Sequence, residues 1–480
     1  MAKKKLKNDG IFFVGKAAEE VTGSQYLVKF GNKQILIECG LNQSQSNDYL
    51  DSYKANSEKF AFKPSEIDYV FVAHSHIDHC GLLPRLVSKG FKGKIITTDI
   101  TAKIIEPLLK NSCAILEDEA RVLSKRYGRE YIPLYSGDDV ENTLKLIEAY
   151  NEYNTIIYLD EIVSFQWLKN SHCVGAAQLQ LILNDGVKTR KILYTSDIGS
   201  ISERNHYVGK TEIPQMFNDV SIMESTYGNP KRENKKNREY DVRHLKSAID
   251  TVLERGGTAI LPCFSFSRTQ ELLTTLYEIY GNCNNFNSPV LVDSKLSCDI
   301  SELYNNILSG EDLEKWDKVY NWQNVEFISD KERSEGYVGN KSPKIVISSS
   351  GFCTNGRVVS YLRNYLSDPK SMIIFTGYVG NNPSYLAYRI KNAQSNKYIS
   401  VNGEKVLNKA DCIALSTFSS HAGYNDLIKY GSSLNTNKLV LVHGSEESKK
   451  CLANGLEKAI CENDKTYKVS ISNKGMIVRL

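Results

Sequence analysis

Ile67 to Gly81 reads IDYVFVAHSHIDHCG. The apolar run Tyr69 to Ala73 has strand character and delivers the chain into His74, His76, Asp78 and His79, four metal-capable side chains at the end of one β-strand. Side chains alternate in an extended segment, so His74 and His76 fall on one side and can grip one ion as neutral imidazoles. A turn after Ile77 lets Asp78 and His79 open a helix and face a second ion. Imidazole nitrogen with carboxylate oxygen suits Zn2+ ahead of Mn2+ or Fe2+. The chain has only eight His, and three are packed here beside an Asp, which argues against a polar loop that happens to carry them.

Outward from this stretch, 480 residues are enough for two domains, each with a substantial core. Apolar content of 41% and charged content of 24% are those of a soluble globular chain. A formal charge of +4 excludes a generally basic nucleic-acid coat and leaves room for a local basic groove. Eleven Cys form no C-x-x-C pair, so neither a disulfide framework nor a zinc ribbon is indicated, and a reducing, cytoplasmic location is expected. MAKKKLKNDG lacks the apolar segment of a secretory signal, and no stretch is long enough to cross a bilayer, so no membrane partner is expected.

Toward the N-terminus, YLVKF and QILIE read as two strands joined by a hairpin turn at Gly31-Asn32, with Glu38 at the end of the second strand. From there Glu38 can serve the metal site indirectly or be an ordinary strand-end carboxylate. Past the His cluster, GLLPRLVSKG reads as a helix stopped by Gly90 and KIITT as a strand. Thr101 to about Tyr127 and DDVENTLKLIEAY read as helices. Strands alternating with helices predict a layered α/β architecture.

Further polar residues sit at predicted strand ends. His172 precedes a small-residue turn, Asp197 ends KILYTSD, Glu224 ends VSIME, His421 ends a strand in DCIALSTFSSH, and His443 ends NKLVLVH. The composition turns polar and basic at KRENKKNR, around Pro230 to Arg238, which reads as a boundary loop. A second α/β unit follows. In it, Ser265, Ser267 and Arg268 precede the helix TQELLTTLYEIY, where an anion or simple capping accounts equally for them. The glycines of SSSGFCTNGR, Gly351 and Gly356, permit close backbone approach.

With these residues in hand, the chain resembles the β-CASP nucleases of metallo-β-lactamase fold. ILIECG, HSHIDHCG, SHCVGAA, YTSDIG, MESTYG, FSSHAG and LVHGS look like that family's successive motifs, in order and over nearly the whole length. PCFSFSRTQELL, SSSGFCTNGR and IIFTGYVG resemble stretches of its inserted cap. The resemblance implies an α/β fold, a metallo-β-lactamase αββα sandwich with an inserted α/β β-CASP cap domain. Expected boundaries are 1–217 and 394–480 for the sandwich and 218–393 for the cap.

The resemblance also implies two Zn2+ per chain: His74, His76 and His172 on one, Asp78, His79 and His443 on the other, and Asp197 bridging. Two such ions, about 3.5–4 Å apart, lower the pKa of a shared water and stabilise in-line displacement at phosphorus. His421 is the expected general acid, Glu224 its orienting partner, and Asp78 completes the catalytic set. Ser419, Ser420, Ser267 and Arg268 are expected to hold substrate phosphate. The expected activity is hydrolysis of single-stranded RNA, endonucleolytic or from the 5′ end, leaving 5′-phosphate and 3′-hydroxyl. His443 favours RNA, because the DNA-repair branch usually carries Val there. The competing readings are a small ester or thioester hydrolase, a DNA-directed nuclease of the same family, and a non-catalytic scaffold. Departures from the family pattern are Glu38 for its Asp, Ser267-Arg268 for its Gly-Arg, and NNPSYLAYRI, which lacks its Thr-x-Gly. Neither the KH domains nor the C-terminal dimerisation domain of some relatives is expected, and a homodimer is compatible with these features.

Overall fold

The computed structural model describes residues 9–43, 48–203, 206–232, 237–380 and 382–480. The basic loop after Pro230 lies partly outside these residues, as do the N-terminal lysines and Asn381 of NNPSYLAYRI. The described residues fall into two compact units, one from residues 9–232 and 420–480 and the other from residues 237–419.

The first unit is built on two seven-stranded sheets. One runs, in spatial order, Ile477–Arg479, Gly10–Phe13, Tyr26–Phe30, Lys33–Ile37, Tyr69–Phe71, Lys94–Thr98 and Ile147–Tyr150. The other runs Lys468–Ile471, Lys438–Val442, Val220–Glu224, Thr189–Tyr194, Ala177–Asn184, Val163–Lys169 and Ile157–Tyr158. Phe13, Val28, Ile37, Phe71, Phe165, Trp167, Leu181 and Val442 meet in one buried cluster between them. Long helices cover the outer faces: Asp99–Tyr127 packs on the first sheet through Ile105, Leu109 and Leu116, and Glu446–Glu462 on the second through Leu452 and Leu456. Helix, sheet, sheet and helix are therefore layered, as expected. The hairpin is in place too, with Phe30 opposite Lys33 and Gly31 at φ +59°.

One glycine decides how the metal-binding stretch is held. A Cβ on Gly40 would lie 1.6 Å from the Asp78 carbonyl oxygen. Only glycine lets the segment after Lys33–Ile37 lie flat against Ile77–Cys80, where Cys39 N–H donates to His79 O at 2.8 Å and Leu41 N–H to Ile77 O at 2.9 Å. Ser24 N–H donates to Asp78 O at 2.9 Å. The four-residue helix that carries Asp78 and His79 is thus clamped through its own carbonyls.

The second unit holds a six-stranded sheet in the order Val325–Ile328, Val290–Asp293, Lys344–Ser348, Thr258–Pro262, Met372–Phe375 and Asp411–Ala414, parallel throughout. Its strands are short runs rich in Ile, Leu and Val and mostly buried, the pattern of a parallel sheet covered on both faces.

Three expectations are corrected. The units change later than 218 and 394: Val220–Glu224 pairs with Thr189–Tyr194 and Lys438–Val442 in the first unit, and Asp411–Ala414 pairs with Met372–Phe375 in the second. Ladder partners far along the chain decide membership, and local composition does not report them. DDVENTLKLIEAY is half helix, Gly137–Leu144, and half edge strand, Ile147–Tyr150, because the last residues pair with Lys94–Thr98. His421 ends no strand: the ladder stops at Ala414, and His421 lies in the loop before the helix Tyr424–Ser433.

Candidate metal centre

All the sequence-expected metal-binding residues lie in the first unit, on segments leaving the same end of the two sheets. His74 and His76 follow Tyr69–Phe71, Asp78 and His79 lie in Ile77–Cys80, and His172 lies in the turn after Val163–Lys169. Asp197 follows Thr189–Tyr194, and His443 follows Lys438–Val442. Tyr69–Phe71 and Lys438–Val442 belong to different sheets, so it is the packing of the two sheets on their shared core that brings residues 74 and 443 into one site.

Three imidazoles converge. His76 Nδ1 lies 3.1 Å from His74 Nε2 and 3.2 Å from His172 Nε2. Asp197 Oδ2 faces the same point, 3.8 Å from His74 Nε2 and 3.7 Å from His172 Nε2. The other oxygen, Oδ1, is 3.4 Å from His79 Nε2 and 3.3 Å from His443 Nδ1. Asp78 Oδ2 completes this second group, 3.8 Å from His79 Nε2 and 3.5 Å from His443 Nε2. Asp197 thus offers one oxygen to each group.

Cation ligation fits these residues. His79 Nε2, His443 Nε2 and Asp197 Oδ1 are buried yet lack a hydrogen-bond partner, a costly state for polar atoms that nothing satisfies. Burial pushes His74 and His172 far below the ordinary imidazole range and His76 down to about 4, so all three are neutral with a lone pair to offer. The second group is electrically different. Burial alone would lower His79 as well, but Asp197 and Asp78 outweigh it and hold it well above its ordinary value. The carboxylates there call for positive charge.

Surrounding groups fix the rings. Ser196 Oγ is 2.9 Å from His74 Nδ1, and Thr226 Oγ1 is 3.1 Å from His443 Nδ1. Glu38 is fully buried; its Oε1 accepts from Ala73 N–H at 3.2 Å and lies 3.5 Å from His79 Nδ1. It therefore acts on the far side of a metal-facing imidazole, an orienting arrangement common in metal sites. Glu38, Ser196 and His443 all have positive φ, at 60°, 57° and 49°, strain of about 1–3 kcal/mol each that clusters at functional sites. Sequence reasoning passed over Ser196 and Thr226, although YTSDIG and MESTYG contain them.

Beside the metal-binding groups, His421 Nδ1 lies 3.0 Å from Glu224 Oε1, and its Nε2 is 3.9 Å from Asp197 Oδ2. Glu224 is itself fixed by N–H groups of Ile198, at 2.7 Å, and Thr226, at 3.0 Å. Burial would lower His421, but the charge and hydrogen bond of Glu224 raise it to about 9. The Tyr227 ring meets the His421 ring edge-on at 5.8 Å, a neighbour that sequence reasoning also missed.

The four residues expected to hold phosphate are less uniform. Ser419 and Ser420 are half-buried immediately before His421. In the second unit, Ser267 starts the helix Arg268–Tyr280 at φ +66° without a side-chain capping bond, which removes the capping explanation. Arg268 Nη1 donates to Glu271 Oε2 at 2.7 Å, so its guanidinium is engaged by a carboxylate on its own helix.

An αββα sandwich whose strand ends gather histidines around a shared aspartate defines a metallo-hydrolase of metallo-β-lactamase fold. Comparison with known proteins gives the same class: residues 18–138 match the metallo-beta-lactamase superfamily, 269–383 the Beta-Casp domain, and 409–468 the Zn-dependent metallo-hydrolase RNA specificity domain. The chain belongs to the β-CASP family of metal-dependent hydrolases. It is 28% identical over 439 residues to a ribonuclease of Thermus thermophilus, covering 90% of this chain and 92% of that one. A probable RNase of Methanocaldococcus jannaschii is 28% identical over 457 residues, covering 92% and 95%. Integrator complex subunit 11 of Danio rerio is 26% identical over 446 residues, covering 92% and 70%. A protein of unknown function from Enterococcus faecalis V583 shares the fold, with a TM-score of 0.54 at 14% identity over 98% of this chain and 100% of the other. Among the described residues, no helix is long and apolar enough to cross a membrane.

Proposed function

We propose that this protein is a zinc-dependent ribonuclease that hydrolyses phosphodiester bonds of single-stranded RNA, leaving a 5′-phosphate and a 3′-hydroxyl. The observation that carries the reading is Asp197, which turns one oxygen to each of two ligand groups, with His421 and Glu224 beside it. His74, His76 and His172 would hold one zinc, and Asp78, His79 and His443 the other, with Asp197 shared. Bound zinc supplies Lewis-acid stabilisation of charge on the phosphoryl oxygens and a water of lowered pKa.

The chain's own residues supply the rest. Burial keeps the three-histidine group neutral and able to ligate. Ser196, Thr226 and Glu38 orient the rings of His74, His443 and His79 respectively. His421, kept protonated by Glu224 on Nδ1, gives a proton to the departing 3′-oxygen as the P–O3′ bond breaks, while the attacking water bonds to phosphorus through its oxygen and releases its own proton to solvent. The hydroxyls of Ser419 and Ser420 hold a substrate phosphate. His443, in place of the Val usual in the DNA-repair branch, and the ribonuclease names of the relatives from Thermus thermophilus and Methanocaldococcus jannaschii support RNA as substrate.

The experiment is incubation of end-labelled single-stranded RNA and DNA with wild type, His76→Ala and His421→Ala. RNA cleavage by wild type alone is expected. Equal cleavage by all three proteins, or a preference for DNA, would overturn the reading.

A further inference from the structure

The carboxyl ends of three neighbouring parallel strands in the second unit carry residues that the metal centre does not use. Val290–Asp293, Lys344–Ser348 and Thr258–Pro262 lie side by side, and their following loops supply Ser294, Ser349 and Phe264-Ser265. Ligands of parallel α/β sheets bind at this edge. Ser349 Oγ donates to Ser294 Oγ at 2.9 Å, and Ser265 Oγ lies 3.4 Å from Ser294 Oγ, so hydroxyls line the edge.

Phe264 keeps 46% of its surface exposed although it is held on two sides. A Cβ on Gly351 would come within 3.2 Å of the Phe264 ring, so the ring lies directly on the bare backbone of Gly351. Phe352 meets it edge-on at 5.3 Å and itself stacks on Tyr385 at 4.8 Å and 13°. A large aromatic ring held by Gly351 and Phe352 while nearly half of its surface stays exposed is preorganised for a planar ligand. Pro262 to Ser267 and Ser348 to Gly356 contain no charged residue. The flanking arginines are engaged, Arg268 with Glu271 at 2.7 Å and Arg357 with Asp293 at 2.8 Å. A neutral aromatic surface edged by hydroxyls suits a nucleobase, which has a stacking face and a hydrogen-bonding rim. Lys295, beside Ser294, is likewise paired, with Asp299 at 2.6 Å, so these loops favour a neutral planar ligand over an anionic membrane or a charged peptide.

We infer that Phe264, seated on Gly351 and braced by Phe352, is a stacking platform for one unpaired base of an RNA strand. The inference rests on the ribonuclease reading and adds a base-binding position within the second unit. Stacking on an aromatic ring is tolerant of base identity, so the platform grips sequence-independently.

The test measures affinity for a fluorescent oligoribonucleotide, and for a strand of equal length lacking its bases, in the metal-loaded His421→Ala protein, which leaves the strand intact. Adding Phe264→Ala or Gly351→Ala is expected to weaken binding of the base-bearing strand by about five- to fifty-fold. Binding of the abasic strand should be unchanged, and Phe264→Trp should restore affinity. Unaltered thermal unfolding shows that the variants fold. Equal affinity with and without Phe264, equal losses on both strands, or a change in oligomeric state caused by Phe264→Ala would overturn the inference. Failure of the wild-type holoenzyme to cleave RNA would instead overturn the ribonuclease reading.

Discussion

His421 Nδ1 and Glu224 Oε1 are 3.0 Å apart, and this pair sets the protonation of the imidazole nearest the metal-binding groups. Burial pushes His421 down, but Glu224 outweighs it and raises the group to about 9. The raised value means that the protonated form persists up to that pH and is lost above it. Cleavage should therefore hold through neutral pH and fall as pH rises through about 9. In Glu224→Gln the alkaline fall should move toward the ordinary imidazole value of about 6.5. His421→Ala should lower kcat by about 10²- to 10⁴-fold. Rate profiles against pH for the three proteins check this.

His76 Nδ1 lies within 3.2 Å of nitrogens of both His74 and His172, so removing this ring opens the three-histidine group. His76→Ala should carry fewer metal ions per chain than wild type, measured by elemental analysis after dialysis. Chelation should abolish cleavage by wild type and lower its unfolding temperature, because an ion held only by the folded chain stabilises it.

Glu38 Oε1 faces both Ala73 N–H and His79 Nδ1 from a fully buried position. Glu38→Gln should keep the shape but lose the charge opposite the ring, weakening metal affinity by about 10- to 100-fold in competition with a chelator. Glu38→Asp, one methylene shorter, should give an intermediate loss, since the carboxylate must reach back to hold both partners.

Gly40 and Gly137 make a paired stability test. A Cβ at Gly40 would overlap the Asp78 carbonyl, whereas one at Gly137 has no atom within 4 Å. Gly40→Ala should destabilise the fold by about 3 kcal/mol and loosen metal binding. Gly137→Ala, at the first position of a helix, should be neutral or stabilise by up to about 1 kcal/mol. Denaturant unfolding followed by circular dichroism distinguishes the two.

The sequence by itself determined the residue types of the metal centre and much of the layering. HSHIDHC carries its chemistry in adjacent residues, and Tyr69–Phe71 reads as a strand because its apolar run is local. The hairpin at Gly31 and the helix Asp99–Tyr127 are likewise written in nearby residues, through turn chemistry and apolar periodicity. Tertiary structure decided the rest. Val220–Glu224 and Asp411–Ala414 found their sheets through partners distant in sequence, so the unit boundaries were not readable from composition. Ser196 and Thr226 are ordinary hydroxyl residues until the fold sets them against His74 and His443. The division of the Asp197 carboxylate between two groups depends on four separate segments arriving at one point, and no local pattern records that arrival. Local propensity specifies elements, but only packing of distant segments specifies the distances on which ligation and proton transfer depend.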